Sequence, residues 1–306
     1  MNTFLKITKV IFTLMLVCLP CVVSSQSDSS ENWWEDNTLI VTVYSPPPQN
    51  IFNIGQARAW SRREALEEAR RQLIEKIKDI HITADMTVSD GIASGDIEED
   101  RIVELVKNTK IFSEKFGMDN SCTIVMKIPV YGGADSVASL ILKPVDKEDF
   151  LKPTVTTKAK GNYTGLIIDC GDLELDPVLA PTIQNADKQS IYSYNNLEYE
   201  KVVANGMIAY AKEDKEQSDN KPLLLTLGKL NLNNFIFNTA CAAKNNKSRA
   251  GDNPLIIKAK VVSDGNSTPV ISISDADKIL TENQASHFLD EGAVVFTGHR
   301  IGGVRA

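Results

Sequence analysis

The sequence contains few of the residues that build catalytic and metal sites. It has only three histidines and five cysteines in 306 residues, and it has no G-x-S-x-G elbow and no G-x-G-x-x-G fingerprint. The three cysteines beyond the N-terminal apolar run, Cys122, Cys170 and Cys241, form no C-x-x-C or Cys/His cluster with metal-ligand spacing. A Ser/His/Asp hydrolase, a dinucleotide site and a zinc site are therefore all unsupported.

Positive charge is also scarce. The chain has 33 Lys and Arg against 40 Asp and Glu, which gives a formal net charge of -7 at pH 7. A protein that binds nucleic acid needs an excess of basic side chains on one surface to neutralise phosphates. We therefore predict that nucleic acid is not a partner.

The N-terminus has the pattern of a secretory signal peptide. Two lysines precede an apolar run over residues 10–23, which Pro20 interrupts and which is shorter than the roughly 20 residues of a membrane-spanning helix. We predict that residues 1–25 direct export, to the periplasm or to an outer-membrane-associated location. Membrane association would come through partners or through a lipid on Cys18 or Cys21, although the residues before both cysteines fit a lipobox poorly.

The stretch "SRREALEEARRQLIEKI", residues 61–77, has the spacing of an amphipathic helix. Its apolar residues fall on one face, and the opposite face carries both signs of charge, with pairs such as Glu67 with Arg71. Ser61 and Glu64 have the spacing of a capping box, so the helix is predicted to begin near Arg62. The residues predicted to be buried are Ala65, Leu66, Ala69, Leu73, Ile77 and Ile80.

The rest of the first half predicts strands around this helix. After a flexible leader, residues 26–37, apolar and polar residues alternate near 39–44, 80–88, 110–116 and 122–130, with "GMDNS" as the turn between the last two. Short helices are predicted at 98–107 and within "YGGADSVASLIL". Residues 38–142 thus predict an α+β module of one long helix packed on a sheet of about four strands.

The second half is predicted to be a β-rich domain over residues 163–306. The segment 143–162, rich in Pro, Lys and Thr, has the composition of a linker. Strands are predicted in "YTGLIIDC", "NPLIIKAKVV" and "GAVVFTGH", and a helix over 275–288. The segment 218–247 is predicted to be a hairpin or an extra strand pair.

Several side chains are weak candidates for a site. The acidic stretch "DCGDLELD" could ligate calcium, but Pro177 favours a tight turn with solvated acids. Trp33 and Trp34 are either a docking tail that contacts a partner or a packed cap. His81 is expected on the solvated face of its strand, and Cys170 could form a disulfide with Cys241. The weak calcium candidates are Asp169, Asp172, Glu174 and Asp176.

The first half also resembles a known family. The runs "VTVYSPPP", "GQARAWSRREALEEARRQLIEKIKDIHITADMTV" and "FSEKFGMDNSCTIVMKIPVYG" resemble the LPP-twenty family of bacterial envelope lipoproteins, and this module is similar to the N-terminal domain of the flagellar assembly protein T. "YTGLIIDC", "NGMIAYAK", "RAGDNPLIIKA" and "SHFLDEGAVVF" resemble the C-terminal extension of relatives. The resemblance implies an envelope protein, in some relatives associated with flagellar or other outer-membrane assemblies, and it offers no catalytic residues to carry over to this chain.

These observations predict a non-enzymatic protein of the cell envelope that acts through protein–protein contacts and needs no cofactor. Envelope proteins, including further copies of the chain itself, are the expected partners. Binding of peptidoglycan or another envelope glycan is the alternative function. A hydrolase that uses an acid such as Asp169 or Asp172 is a third and less favoured one.

Overall fold

The computed structural model describes residues 32–155, 158–212 and 248–302. In these residues an antiparallel sheet is followed by a second domain with a parallel sheet, and the fold class is α+β as predicted. None of the helices in the described residues is long and apolar enough to cross a membrane. Outside the described residues lie the predicted signal peptide at 1–25, Cys18, Cys21, Cys241 and the segment 218–247.

The first domain has one long helix on a three-stranded sheet. Strand β3 lies between β1 and β2 and pairs with both in antiparallel fashion, and its alternate side chains from Cys122 to Ile128 are buried under α2. The elements in chain order are α1 (Trp33–Asp36), β1 (Thr38–Ser45), α2 (Ile54–Lys78), α3 (Val88–Ala93), α4 (Glu99–Asn108), β2 (Ile111–Phe116), β3 (Cys122–Pro129) and α5 (Val137–Ile141).

Helix α2 begins earlier than the sequence predicts. Its N-cap is Asn53, whose side-chain oxygen accepts a hydrogen bond from the Gln56 amide at 3.1 Å. The predicted capping box of Ser61 with Glu64 is therefore wrong. Ser61 is buried in the middle of the helix, where a serine hydroxyl can bond to the carbonyl four residues earlier, here that of Ala57 at 3.0 Å.

The predicted buried face of α2 is confirmed. Ala65, Ala69, Leu73 and Ile77 are at most 1% exposed, Ile80 is buried just after the helix, and Leu66 is half-buried. On the outer face Arg71 forms its ion pair with Glu68 at 2.6 Å rather than with the predicted Glu67. The helix is thus held by burial of one face, while the charged face lies at the surface.

The strand predicted at residues 80–88 is wrong. The segment is irregular and contains a single bridge, between His81 and Thr87. Thr87 caps α3 instead, because its hydroxyl accepts from the Asp90 amide while the Asp90 carboxylate accepts from the Thr87 amide. The sheet therefore has three strands rather than about four.

The second domain is built on a parallel sheet in the order β8 (Ala209–Lys212), β12 (Val294–Gly298), β4 (Gly165–Asp169), β9 (Pro254–Lys258). Strands β4 and β12 are buried along almost their whole length, as expected for parallel strands covered on both faces. Its elements are β4 (Gly165–Asp169), β5 (Glu174–Leu175), β6 (Ile183–Asn185), β7 (Ser190–Tyr192), α6 (Tyr199–Asn205), β8 (Ala209–Lys212), β9 (Pro254–Lys258), β10 (Val261–Ser263), β11 (Thr268–Ile271), α7 (Ile273–Ser286), β12 (Val294–Gly298) and β13 (Arg300–Ile301).

The predicted elements of this half are confirmed as β4, β9 with β10, β12 and α7. The sequence did not indicate that the central strands are parallel, because short apolar runs look alike in parallel and antiparallel sheets. The smaller strands β6, β7, β10 and β11 form a separate mixed sheet.

Residues 143–164, which we call the strap, contain no helix or strand in their described part. The strap is nevertheless tied to α7. The buried carboxylate of Glu282 accepts the main-chain amides of Lys160 and Gly161 at 3.0 Å, and the carboxylate of Asp277 accepts the amide and hydroxyl of Thr154 at 2.6 Å. The predicted linker thus packs on the second domain.

One hydrophobic core spans both domains. A single cluster of buried side chains contains residues of α2 and β3 as well as residues of β4 and β12. Main-chain hydrogen bonds cross the junction from Leu179 to His81 at 2.9 Å and from Ala180 to Ile82 at 2.8 Å. The buried Tyr131 hydroxyl also donates to the Leu179 carbonyl at 3.1 Å. The two domains therefore pack against each other and share one hydrophobic core.

Replacing Leu73 by alanine should destabilise the protein by about 2–5 kcal/mol, because a fully buried leucine leaves a cavity in the core when it is truncated. Urea unfolding followed by circular dichroism would measure the change. The matched control is Glu67→Ala on the exposed face of α2, expected within about 0.5 kcal/mol of the wild type. Equal effects of the two changes would contradict the assignment of the buried face.

Replacing Glu282 by alanine should release the strap, because two main-chain amides lose their acceptor. Tryptic cleavage at Lys158 and Lys160 should become faster by roughly tenfold, the factor equivalent to about 1.4 kcal/mol of lost hydrogen bonding. Mass spectrometry of timed digests would measure it. Asp187→Ala, at an exposed position, is the control, and identical digestion of both variants would show that Glu282 does not hold the strap.

Candidate functional site

The acidic residues predicted as weak calcium ligands are not gathered into a cluster of carboxylates in the described residues. Asp169 ends β4, and its side chain accepts the Gly171 amide at 2.8 Å. Glu174 forms an ion pair with Arg300 at 2.6 Å. Among the described residues no group of three or more His, Cys, Asp or Glu could hold a metal ion. Calcium binding by Asp169, Asp172, Glu174 and Asp176 stays a prediction, and two of these side chains, Asp169 and Glu174, already have partners within the protein.

The three histidines lie in separate structural positions. The predicted solvated position of His81 on a strand is wrong, because the residue is half-buried in the irregular segment and its Nδ1 is buried without a hydrogen-bond partner. His287 caps α7 in the left-handed conformation, with Nδ1 3.6 Å from the Asp290 carboxylate. The amide of His299 donates to the Gly171 carbonyl at 2.8 Å.

The tryptophans at the start of the first domain are packed. Trp34 is 6% exposed, and its ring meets the ring of Tyr210 edge to face at a centroid distance of 6.2 Å. Trp33 is half-buried against the same core. Of the two alternatives for this pair, the structure supports the packed cap, and Trp34 is corrected from a partner contact to a core residue. The segment 32–37 of the predicted leader forms α1 and its flanks.

The two cysteines of the described residues are buried. Burial raises the pKa of the Cys170 thiol to about 12, with a further contribution from the charge of Asp169. Burial also raises the pKa of the Cys122 thiol. Since the thiolate is the nucleophile, both side chains are packed apolar residues rather than reactive groups. The predicted disulfide cannot be described, because Cys241 lies outside the described residues.

Five of the six large exposed apolar side chains in the described residues of the first domain lie at one end of it, and the sixth, Phe112, lies near the opposite end of β2. We call this surface the hairpin end, because it surrounds the turn between β2 and β3. The turn places Met118, which is fully exposed, next to the end of β1, and the first turn of α2 lies at the same end. The hairpin end comprises Tyr44, Phe52, Ile54, Phe116 and Met118, which are exposed by 57%, 93%, 61%, 41% and 105%.

Hydrogen bonds fix the shape of the hairpin end. The hydroxyl of Tyr44 donates to the Asp119 carboxylate at 3.0 Å. Hydrogen bonds from the Ser121 hydroxyl and amide, followed by the one from Tyr44, hold the pKa of Asp119 below its ordinary value. Arg58 of α2 donates to the Asn120 side chain at 3.2 Å, and its guanidinium lies 5.5 Å from the ring centroid of Phe116. These contacts thus tie the turn that carries Met118 to the end of β1 and to the first half of α2.

The turn itself requires its particular residues. Asn120 adopts the left-handed conformation with φ 64°, which asparagine tolerates better than most residues. A Cβ atom at Gly117 would lie 2.4 Å from the Asp119 carboxylate oxygen, so a larger residue there would displace that side chain from its hydrogen bonds to Ser121. No sequence motif marks the hairpin end as a site. The available signal is the presence of large apolar residues inside the polar turn segments "PPPQNIFNI" and "GMDNS".

These observations define an α+β protein whose second domain covers residues 165–298. That range matches the family described as the second domain of Treponema pallidum Tp0624. The match begins at the first residue of β4 and ends at the last residue of β12, so it contains the whole parallel sheet. No curated protein matches the chain.

Alkylation should distinguish the buried thiols from reactive ones. At pH 8.5 the carbamidomethylation of Cys122 and Cys170 in the folded protein should be at least roughly tenfold slower than in urea, because burial both blocks access and disfavours the thiolate. Peptide mass spectrometry of timed samples would measure the two rates separately. Rapid labelling of Cys170 in the folded state would mean that the strand end carrying it is open to solvent.

Proposed function

We propose that the protein is a non-enzymatic component of a bacterial cell envelope and that it acts by binding another protein through the hairpin end. The observation that carries the proposal is the concentration of exposed apolar side chains at that end. Contiguous exposed apolar surface on a soluble domain is typical of an interaction site. The resemblance of the first half to the LPP-twenty family and to the flagellar assembly protein T supports an envelope assembly as the setting.

A protein partner agrees better with the hairpin end than a membrane surface does. Binding to an anionic membrane would need an excess of Lys and Arg around the apolar side chains. The hairpin end instead carries charges of both signs, those of Arg58 and Asp119, and both side chains are hydrogen-bonded to neighbours at that end. Aromatic and methionine side chains beside single charges of both signs are typical of the centre and rim of a protein interface.

A non-enzymatic role is supported by what the acidic side chains of the second domain do. Asp169, one of the two acids named for a hydrolase, has its carboxylate engaged by the Gly171 amide in the turn after β4. The pattern of residues 1–25 supports export, and the partner is therefore proposed to be another envelope protein or a second copy of the chain.

Photocrosslinking in living cells would test the interface. A photoreactive amino acid at position 118, at the centre of the hairpin end, should give recurrent crosslinks to one or a few envelope proteins or to the chain itself. The same amino acid at position 67, on the exposed face of α2, is the control and should give none. Equal capture at the two positions, or no capture at position 118, would contradict the proposed interface.

Truncation of the apolar side chains would test their contribution. The paired change Phe52→Ser with Met118→Ser should lower the crosslinking yield from position 54 by roughly tenfold or more, because a buried interface anchor is worth about 1–2 kcal/mol or more. Val261→Ser, which removes an exposed apolar side chain of the second domain, is the matched control and should leave the yield unchanged. Circular dichroism would confirm that both variants are folded.

A further inference from the structure

A cavity of about 450 Å³ lies at the junction of the two domains. Three segments form it: residues 82–97 of the first domain, residues 141–145 where α5 ends and the strap begins, and residues 180–195 of the second domain. This volume is within the range of pockets that hold small ligands, roughly 300–1,000 Å³. The cavity is separate from the hairpin end, since no residue of that surface lines it.

The walls of the cavity are ordered and aliphatic. Ile82, Ile97, Ile141 and Leu142 are buried side chains of the core, and they line the cavity together with Met86. A Cβ atom at Gly91 would lie 2.5 Å from the Ile97 side chain, which shows that α3 and the segment after it pack tightly behind this wall. The capping box of α3 fixes the same region. The cavity is thus bounded by elements that are themselves tightly packed.

The mouth of the cavity is polar and carries one charge of each sign. Among the residues that line it, Lys143 is the single cation and Asp96 the single anion. Their side chains are 62% and 64% exposed, and the Nζ–Oδ1 distance is 3.4 Å. Such an exposed pair is weak and can exchange partners. The Tyr194 hydroxyl donates to the Lys143 carbonyl at 2.6 Å and so fixes the backbone that presents the lysine.

We propose that this cavity binds a single-chain zwitterionic amphiphile. The aliphatic walls offer few partners to a polar ligand but suit a hydrocarbon chain, which gains free energy when it leaves water. A zwitterionic head group complements the mouth, because its anionic part meets Lys143 and its cationic part meets Asp96. An anionic head group would be repelled by Asp96, and a cationic head group would be repelled by Lys143.

Isothermal titration calorimetry on the mature chain would test the proposal. The probe is dodecylphosphocholine, kept below its critical micelle concentration. We expect one saturable site, and binding at least threefold weaker for laurate and for dodecyltrimethylammonium, which carry one charge each. Absence of saturable binding by dodecylphosphocholine would overturn the proposal, and equal affinity for the three amphiphiles would overturn the role of the charged pair.

Substitutions that fill the cavity provide a second test of the proposed binding site. Ala180→Trp and, independently, Thr182→Trp should weaken binding at least tenfold, while Ala93→Trp, at an exposed position of α3, should leave it unchanged. Urea unfolding would establish that each variant is folded. Unchanged binding in both folded cavity variants would place the probe elsewhere and overturn the assignment.

The hairpin-end variant separates this proposal from the proposed function. Phe52→Ser with Met118→Ser should retain full affinity for dodecylphosphocholine even though it loses protein contacts. Loss of amphiphile binding in that variant would overturn the cavity assignment, because the probe would then be bound at the exposed apolar surface. The double variant Lys143→Gln with Asp96→Asn should retain binding but lose the preference for the zwitterionic head group.

Discussion

The junction between the domains is the constraint on which the rest of the structure depends. The segment after α2 forms no strand of the first sheet. Instead, the carbonyl groups of His81 and Ile82 accept hydrogen bonds from the amides of Leu179 and Ala180 in the second domain. Because unpaired buried amides are costly, this crossing fixes how the two sheets lie relative to one another. The shared apolar core, the position of the strap and the cavity at the junction all follow from that placement.

The arrangement separates two kinds of surface. The hairpin end is formed by the first domain alone, from the β2–β3 turn, the end of β1 and the start of α2. The cavity exists only where both domains and the strap meet. A protein built in this way can offer one surface to a protein partner and another to a small amphiphile. The fold thus permits both proposed roles without requiring that they be coupled.

The sequence predicts those elements whose periodicity is long and one-sided, such as the buried face of α2 and the alternation in β3. It does not predict features that depend on neighbours distant in the chain. The run at residues 80–88 alternates like a strand, yet its backbone pairs across the junction and Thr87 caps a helix. Ser61 has the spacing of a cap but packs inside α2. The hairpin end combines residues separated by more than 60 positions, and no local pattern reveals that proximity.

One carboxylate that ties the strap to α7, that of Asp277, has a pKa set by its hydrogen bonds to the strap. Hydrogen bonds from the Thr154 side chain and amide hold the pKa of Asp277 below its ordinary value of 3.8. A carboxylate whose pKa is lowered by folding stabilises the folded state above its unfolded pKa, and that contribution disappears only as the pH falls through the lowered value. This anchor of the strap therefore stays ionised throughout the range in which histidines titrate. In a mildly acidic compartment, the hydrogen bonds between Asp277 and Thr154 would therefore persist.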